Sequence, residues 1–387
     1  MLGKRYKNKG RSNLRTWIEI SASAAQHNLR IFRSLVSKDV KLMAIVKSNA
    51  YGHGLLDFSI LADKQGADWF GVDSLVEGLA IRREGIKKPI LVLGYTLPER
   101  FREAVENDIA LTISSTDNLN ALLQLETSLP IKIHLKVDTG MHRQGFFVSE
   151  LETICKMIKV ANKNRIKIKV DGIYTHFAAA KNPSFPQETN QQIEFFNQAI
   201  NIVESFGFHP VKHAAATAGT LLFSKSHYNM VRVGIGLYGL WPSKETMRAL
   251  ENKIHLEPVL SWKTVISEVK ILPDGGGVGY DLTEKLLPRS KIAICPIGYW
   301  HGFGRSLSSI GNVLISGKRA KVLGRVSMDM IIVDVGKMKD IRVGDEVVII
   351  GRQGDDEITA DELADISDTI NYEIITRTNP LIKRIVV

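Results

Sequence analysis

The strongest constraint on the fold is a rhythm. Eight short apolar, β-branched runs recur between residues 41 and 239, separated by amphipathic stretches. The runs are KLMAIVK (41–47), WFGV (69–72), PILVLG (89–94), ALTIS (110–114), IKIHLKVD (131–138), VDGIYTHF (170–177), VKHAAA (211–216) and MVRVGIGLYG (230–239). Between them lie segments such as LLDFSILADKQG and QQIEFFNQAINIVESFG, whose apolar residues recur near the helical period and which end at a Gly. Strand and helix alternating eight times calls for parallel βα units, and an eight-stranded (β/α)8 barrel of roughly 250 residues is the economical solution. An open doubly wound sheet has the same periodicity and stands as the alternative.

The texture changes near residue 250. From PVLSWKTVISEVKILPDGG onward come short alternating runs, KIAICPI, GNVLISG, KRAKVLG, MIIVDV and DEVVIIG, separated by Gly, Pro and Asp turns. This pattern predicts a C-terminal antiparallel β domain, with ITADELADISDTI as a short helix capped by Thr359. The 387 residues therefore divide into a basic leader over 1–14, a barrel over 15–250 and a β domain over 251–387. Six of the net ten positive charges come from Lys4, Arg5, Lys7, Lys9, Arg11 and Arg15 with no acid among them. A solvated, disordered leader is favoured over an anchor for anionic surfaces. The leader has no apolar stretch behind it, so it reads as no secretory signal. No apolar run approaches the ~20 residues of a spanning helix. Cys155 and Cys295 are the two cysteines, far apart, which speaks against a disulfide framework or a zinc site and for a cytoplasmic protein. No metal, membrane or nucleic-acid partner is expected, since basic residues do not interleave with aromatics in a binding motif.

In a βα barrel the reactive groups sit at the C-terminal ends of the strands. The first run ends in Lys47, followed by SNAYGHG. A lysine after a strand is usually a solvated loop residue, but at a barrel mouth burial would lower its pKa and suit it to a Schiff base. The fifth run, LKVDTGMHRQG, brings Lys136, Asp138 and Arg143 near the same mouth, where ordinary ion pairs are the plainer reading of the spacing. The sixth ends in His176, whose imaginable roles are a packed core histidine or a flat ring stacked on an aromatic cofactor. Thr217 follows the seventh run and Arg232, Gly234, Ile235 and Gly236 lie in the eighth, where barrels commonly bind phosphate through exposed backbone N–H groups. With a mouth lysine, these residues outline a site for a phosphorylated aldehyde.

AIVKSNAYGHG, LKVDTGMHRQG, YTHFA, MVRVGIGLYG, GRVSMDMIIVDV and TINYE, in this order, resemble the alanine racemases, and the resemblance runs from about Trp17 to the C-terminus. It implies a barrel followed by a β domain, with the opening strand near TWIEIS (about 15–22) joining the C-terminal domain. It implies pyridoxal 5'-phosphate (PLP) as cofactor, Lys47 as the lysine that carries it and works on one face of the substrate α-carbon, and Tyr280 as the base on the other face. Removal of a proton from one face and delivery to the other is what racemisation requires. By the same resemblance Arg232 faces the pyridine nitrogen and His176 the ring. Tyr51, Thr217, Gly234, Ile235 and Tyr372 hold the phosphate, Arg143 and Met328 meet the substrate carboxylate, and Lys136 is a lysine carbamylated in many members. Tyr280 and Met328 come from the second subunit in this family, so a homodimer with shared active sites is implied, as is D-alanine supply for peptidoglycan.

The sequence departs from the family pattern at GYWHGF (298–303), where Trp300 and His301 replace a small residue and an acid, and at Ala216, Thr217, Asp281 and Ser327. Asp281 puts a carboxylate beside Tyr280. A serine or broad-specificity amino-acid racemase is the alternative substrate reading, because one hydroxyl in a small pocket is worth little free energy. A decarboxylase of basic amino acids lacks its usual glycine-rich and cysteine-bearing motifs here. A non-catalytic PLP carrier would have no use for the long β domain that holds Tyr280.

Overall fold

The computed structural model describes residues 13–163 and 166–387, so all but the last two residues of the expected leader lie outside the described residues. The described residues divide into two compact units: one within Ala24–Ala50 and Phe58–Glu257, the other of residues 13–23 with Tyr51–Asp57 and Pro258–Val387. The first strand, β1 (Thr16–Ile20), belongs to the second of these. The first unit contains β2 (Lys41–Ile45), β3 (Trp69–Val72), β4 (Ile90–Val92), β5 (Ile109–Ile113), β6 (Ile131–Lys136), β7 (Ile168–Tyr174), β8 (Val211–His213) and β9 (Met230–Val233). Each of the eight apolar runs contributes one strand. They pair in parallel in the order β8-β7-β6-β5-β4-β3-β2-β9. Backbone bonds from Asn229 N to Lys212 O (3.1 Å) and from Arg232 N to Ala215 O (2.9 Å) join β9 to the β8 segment, which closes the ring and decides against the open sheet.

The strands are nearly continuous in burial because helices cover them outside and side chains fill them inside. The filling is unusually polar. His134, Tyr174, His213 and Arg232 are all at most 3% exposed inside the strands, where Tyr174 stacks on His213 and His134 meets both Trp69 and His213 edge-on. Gly172 makes this stack fit, since a Cβ there would lie 2.1 Å from His134 Nδ1. Outside, the long helix Pro186–Ser205 buries Ile193, Phe196, Ile200 and Val203 on one stripe and is followed by Gly207 in the left-handed region (φ 76°), as the terminal Gly of that segment suggests.

The second unit is built on β10 (Leu260–Val265), β11 (Glu268–Leu272), β12 (Gly276–Val278), β13 (Glu284–Leu286), β14 (Ser290–Cys295), β15 (Asn312–Ile315), β16 (Lys318–Leu323), β17 (Ile331–Asp334), β18 (Glu346–Gln353), β19 (Asp356–Ile358) and β20 (Lys383–Val386). Its main sheet runs β11-β14-β17-β16-β15-β18-β10-β1-β20, with β19 beside β18 and β12 paired with β13 apart. All these pairs are antiparallel except β1 with β20. Thr359 caps the helix Ala360–Ile366 by accepting from Glu362 N at 3.0 Å. A second helix, Asn371–Thr376, is too short for its periodicity to show in the sequence. Among the described residues no helix is long and apolar enough to cross a membrane.

Candidate active site

At the C-terminal ends of the barrel strands the structure gathers Lys47, Lys136, Arg143, His176 and Arg232. Arg232, on β9, is 3% exposed, and its guanidinium donates to His213 Nδ1 (2.9 Å), His213 O (2.8 Å), Thr175 O (2.7 Å) and Ala214 O (2.9 Å), with His176 Nδ1 at 3.4 Å. An arginine can only donate, so both histidines accept at Nδ1 and carry their proton on Nε2. His213 Nε2 then donates to His134 Nδ1 at 2.9 Å. Burial, reinforced by Arg232, pushes His176 down to about 3 and His213 well below the usual imidazole range. Burial likewise takes His134 to about 4. The three imidazoles are therefore neutral near pH 7, and the charge of this buried network sits on Arg232.

Lys136, at the end of β6, is 6% exposed and donates to Gln144 Oε1 at 2.8 Å. Burial first, then the charges of Arg143, Arg232 and Lys47, push it down to about 8. Asp138 shapes the following loop: its Oδ1 accepts from the backbone N–H of Gly140, Met141 and His142 at 3.0–3.1 Å. Burial opposes its ionisation, yet these bonds and His142 hold it below the usual carboxylate range. Arg143 projects from this loop and is exposed. No ion pair joins a carboxylate to Lys136, Arg143 or Arg232 among the described residues. The mouth is a cluster of cations short of anions.

Lys47 follows β2 and lies 3.6 Å from Asp73, with its side chain 38% exposed, so the burial expected of it from the sequence is only partial. It opens a left-handed turn: Ser48, Asn49, Ala50 and Tyr51 all have φ between 51° and 56°. On the loops after β8 and β9, Thr217 Oγ1 accepts from Gly234 N (3.2 Å) and Gly236 N (3.4 Å), beside Ile235. These N–H groups meet one hydroxyl, a donor set that suits a phosphate oxygen equally well.

The other site residues expected from the sequence belong to the second unit. Tyr51 and Tyr372 lie with ring centroids 6.0 Å apart, and burial pushes the Tyr372 phenol far up. The segment carrying Tyr51 is fixed by Arg384, 6% exposed, whose Nε and Nη2 donate to Gly52 O at 3.1 and 2.8 Å. Tyr280 and Met328 are 68% and 54% exposed.

The likeness to known proteins extends over nearly the whole chain. Family models described as alanine racemase, N-terminal domain, and alanine racemase, C-terminal domain, match residues 20–242 and 259–386. The chain belongs to the alanine racemase family. An alanine racemase of Leptospira interrogans is 39% identical over 98% of this chain and 99% of its own length, and one of Methanococcus maripaludis 40% identical over 95% and 98%. The crystal structure of the alanine racemase from Bacillus anthracis with bound L-Ala-P matches with a TM-score of 0.90 at 36% identity, covering 96% of this chain and 95% of that one.

Measured against that family, the departures have structural answers. The Asp281 carboxylate beside Tyr280 is paired, with Oδ2 2.8 Å from Arg325 Nε. His301 is 6% exposed and its Nδ1 accepts from Gly298 N, while Trp300 is 56% exposed. Ser327 acts through its backbone, whose carbonyl accepts from Tyr299 N at 3.0 Å. Ala216 precedes the helix Thr217–Leu222 and its carbonyl accepts from Thr220 N. Reasoning from the sequence missed His134, Tyr174 and His213, which carry Arg232, and Glu77, which acts on the Lys47 turn. His134 lies two residues before Lys136 on β6, so strand alternation puts both on one face, and that was the signal available for it.

Proposed function

We propose that this chain is a PLP-dependent alanine racemase that interconverts L-alanine and D-alanine by two bases. The observation that carries the reading is the cation cluster of Lys47, Lys136, Arg143 and Arg232 at one barrel mouth, where burial and then the other three cations depress Lys136. Such a site asks for anionic ligands, and both a phosphate and a substrate carboxylate answer. The residues fit PLP: an amine accessible at Lys47, the N–H groups of Gly234 and Gly236 gathered at the Thr217 hydroxyl beside Ile235, and a guanidinium whose partners are all neutral. Tyr51 and Tyr372 would add phenols to the phosphate. Bound there, PLP supplies a sink for the electron pair left when an α-proton departs.

Lys47 Nζ would hold the cofactor and exchange a proton with one face of the α-carbon, and the Tyr280 hydroxyl would serve the opposite face. Arg232 would lie against the pyridine nitrogen. Its charge, retained at neutral pH, would disfavour protonation of that nitrogen and so suppress side reactions. His176 would lie along the ring, and neutral it adds no competing charge. Arg143 and Met328 orient the carboxylate. Tyr280 and Met328 are exposed on a unit that also exposes Leu282, Tyr299, Trp300 and Met330, and the backbone bond from Trp300 N to Met328 O brings two of these large side chains together, which supports an association surface there. A homodimer that shares its active sites follows from this reading, working in the cytoplasm and feeding peptidoglycan synthesis.

The test is racemisation of L-alanine, L-serine and L-lysine in parallel by wild type, Lys47→Ala and Tyr280→Phe. Alanine is expected to turn over best and both variants to lose at least about a thousandfold, the scale of a lost proton-transfer group. Fastest turnover of serine would move the assignment to a serine or broad-specificity racemase, and PLP binding without turnover would leave a carrier.

A further inference from the structure

The turn that follows Lys47 is the most strained backbone at the site. Four successive non-glycine residues, Ser48 to Tyr51, are left-handed. Each costs roughly 1–2 kcal/mol against a right-handed conformation. A turn of this kind persists only where its surroundings hold it. Ala50 N donates back to Val46 O at 2.8 Å, but the N–H groups of Ser48 and Asn49 precede any such bond. Both reach a single atom: Glu77 Oε1, at 2.7 Å from Ser48 N and 3.4 Å from Asn49 N.

Glu77 looks at first like an ordinary helix cap. It is the third residue of the helix Leu75–Arg83, and with Ser74 it forms a capping box. That accounts for one oxygen, Oε2, which accepts from Ser74 N at 3.4 Å and also from Asp73 N at 2.9 Å. It leaves Oε1 unexplained. One carboxylate thus collects four backbone N–H groups, two from the residues directly after Lys47 and two from Asp73 and Ser74. Asp73 is the residue whose carboxylate lies 3.6 Å from Lys47 Nζ. The groups that fix the lysine's chain direction and its nearest counter-charge are tied to the same two oxygens, with charge-assisted bonds of the stronger class.

We propose that Glu77 is a positioning residue for Lys47, holding the left-handed turn so that the amine is presented at the mouth beside Asp73. This deepens the function proposed above and rests on it only where PLP is concerned. Glu77→Gln is the discriminating change: it keeps the size, leaves one acceptor oxygen, and turns an NH2 group toward N–H donors. Ser74→Ala is its control, removing the hydroxyl that accepts from Glu77 N at 3.4 Å and so the other half of the capping box.

Two readouts on the full-length protein decide the matter: amide hydrogen exchange at Ser48 and Asn49, and the affinity of the apo protein for PLP by absorbance titration. Glu77→Gln is expected to speed exchange at both amides and to weaken PLP binding by about tenfold or more, the equivalent of one lost charged hydrogen bond. Ser74→Ala is expected to leave both within about twofold of wild type while lowering the melting temperature, since a lost cap costs about 1 kcal/mol of stability. Unchanged exchange in Glu77→Gln overturns the proposal, and so does an equal loss of PLP affinity in both variants, which would reduce Glu77 to a cap. Failure of wild type to bind PLP would sink the proposed cofactor instead, and the exchange rates would still decide whether Glu77 holds the turn.

Discussion

Lys136 shows at the scale of one residue what a crowded cationic mouth costs. Its folded value of about 8 lies below the usual 10.5 because burial and three neighbouring cations disfavour its charge. Between those two pH values the unfolded chain holds a proton that the folded one has released, so stability rises with pH across that window. Below about pH 8 both states are protonated and the whole penalty applies; above 10.5 it is gone. A shift of this size corresponds to roughly 3 kcal/mol. Lys136→Met gives up a hydrogen bond to Gln144 worth about 1 kcal/mol and escapes the penalty. In CO2-depleted buffer and without ligand, the variant is expected to be more stable than wild type at pH 7, with the advantage shrinking between pH 8 and 10.5. Urea melts over that range check it; a difference that does not vary with pH would show that the lysine's charge is not disfavoured.

At the scale of elements, the barrel strands were legible because a closed parallel sheet buries both faces of each strand, and WFGV or ALTIS can then be little else. The left-handed turn was not legible. KSNAYG carries a glycine only at its end, and its conformation is imposed from a distance by Glu77. Nor was it legible that Tyr51–Asp57 would join the second unit, because the contact that fixes it, Arg384 to Gly52 O, spans 332 positions in sequence. The sequence offered residues at the ends of the apolar runs and, by resemblance, Tyr51, Tyr280, Met328 and Tyr372; the support that His213 and His134 give Arg232 depends on neighbours in three dimensions. The second unit's sheet has a similar hidden support. Lys263 on β10 lies between Glu19 of β1 (3.1 Å) and Glu346 of β18 (3.2 Å), with its side chain 12% exposed. Lys263→Met would leave two carboxylates facing each other in a poorly hydrated place. A loss of about 3 kcal/mol is expected, and adding Glu19→Gln should recover part of it. Denaturant unfolding of the single and double variants measures both, and a double variant no better than the single one would mean that the carboxylates do not share the lysine.

For the whole molecule, the two-base reading proposed above turns on where its second base would come from. Lys47 stands at the barrel mouth, while Tyr280 stands 68% exposed on the other unit, next to Leu282 at 61% and within a unit that also exposes Met328 and Trp300. A phenol left this open to water is a poor base for an α-proton, which needs a dry and fixed neighbourhood. Burial against a second copy of the chain would supply one, and two-fold symmetry would do so twice. Two inactive variants test this. In a dimer of one Lys47→Ala chain with one Tyr280→Phe chain, shared sites place both lesions in one active site and leave the other with an intact lysine and an intact tyrosine. Random re-association of equal amounts gives half of the dimers this composition, so activity should return to about a quarter of wild type. Were each site built from a single chain, every site in the mixture would carry one lesion or the other and no activity would return.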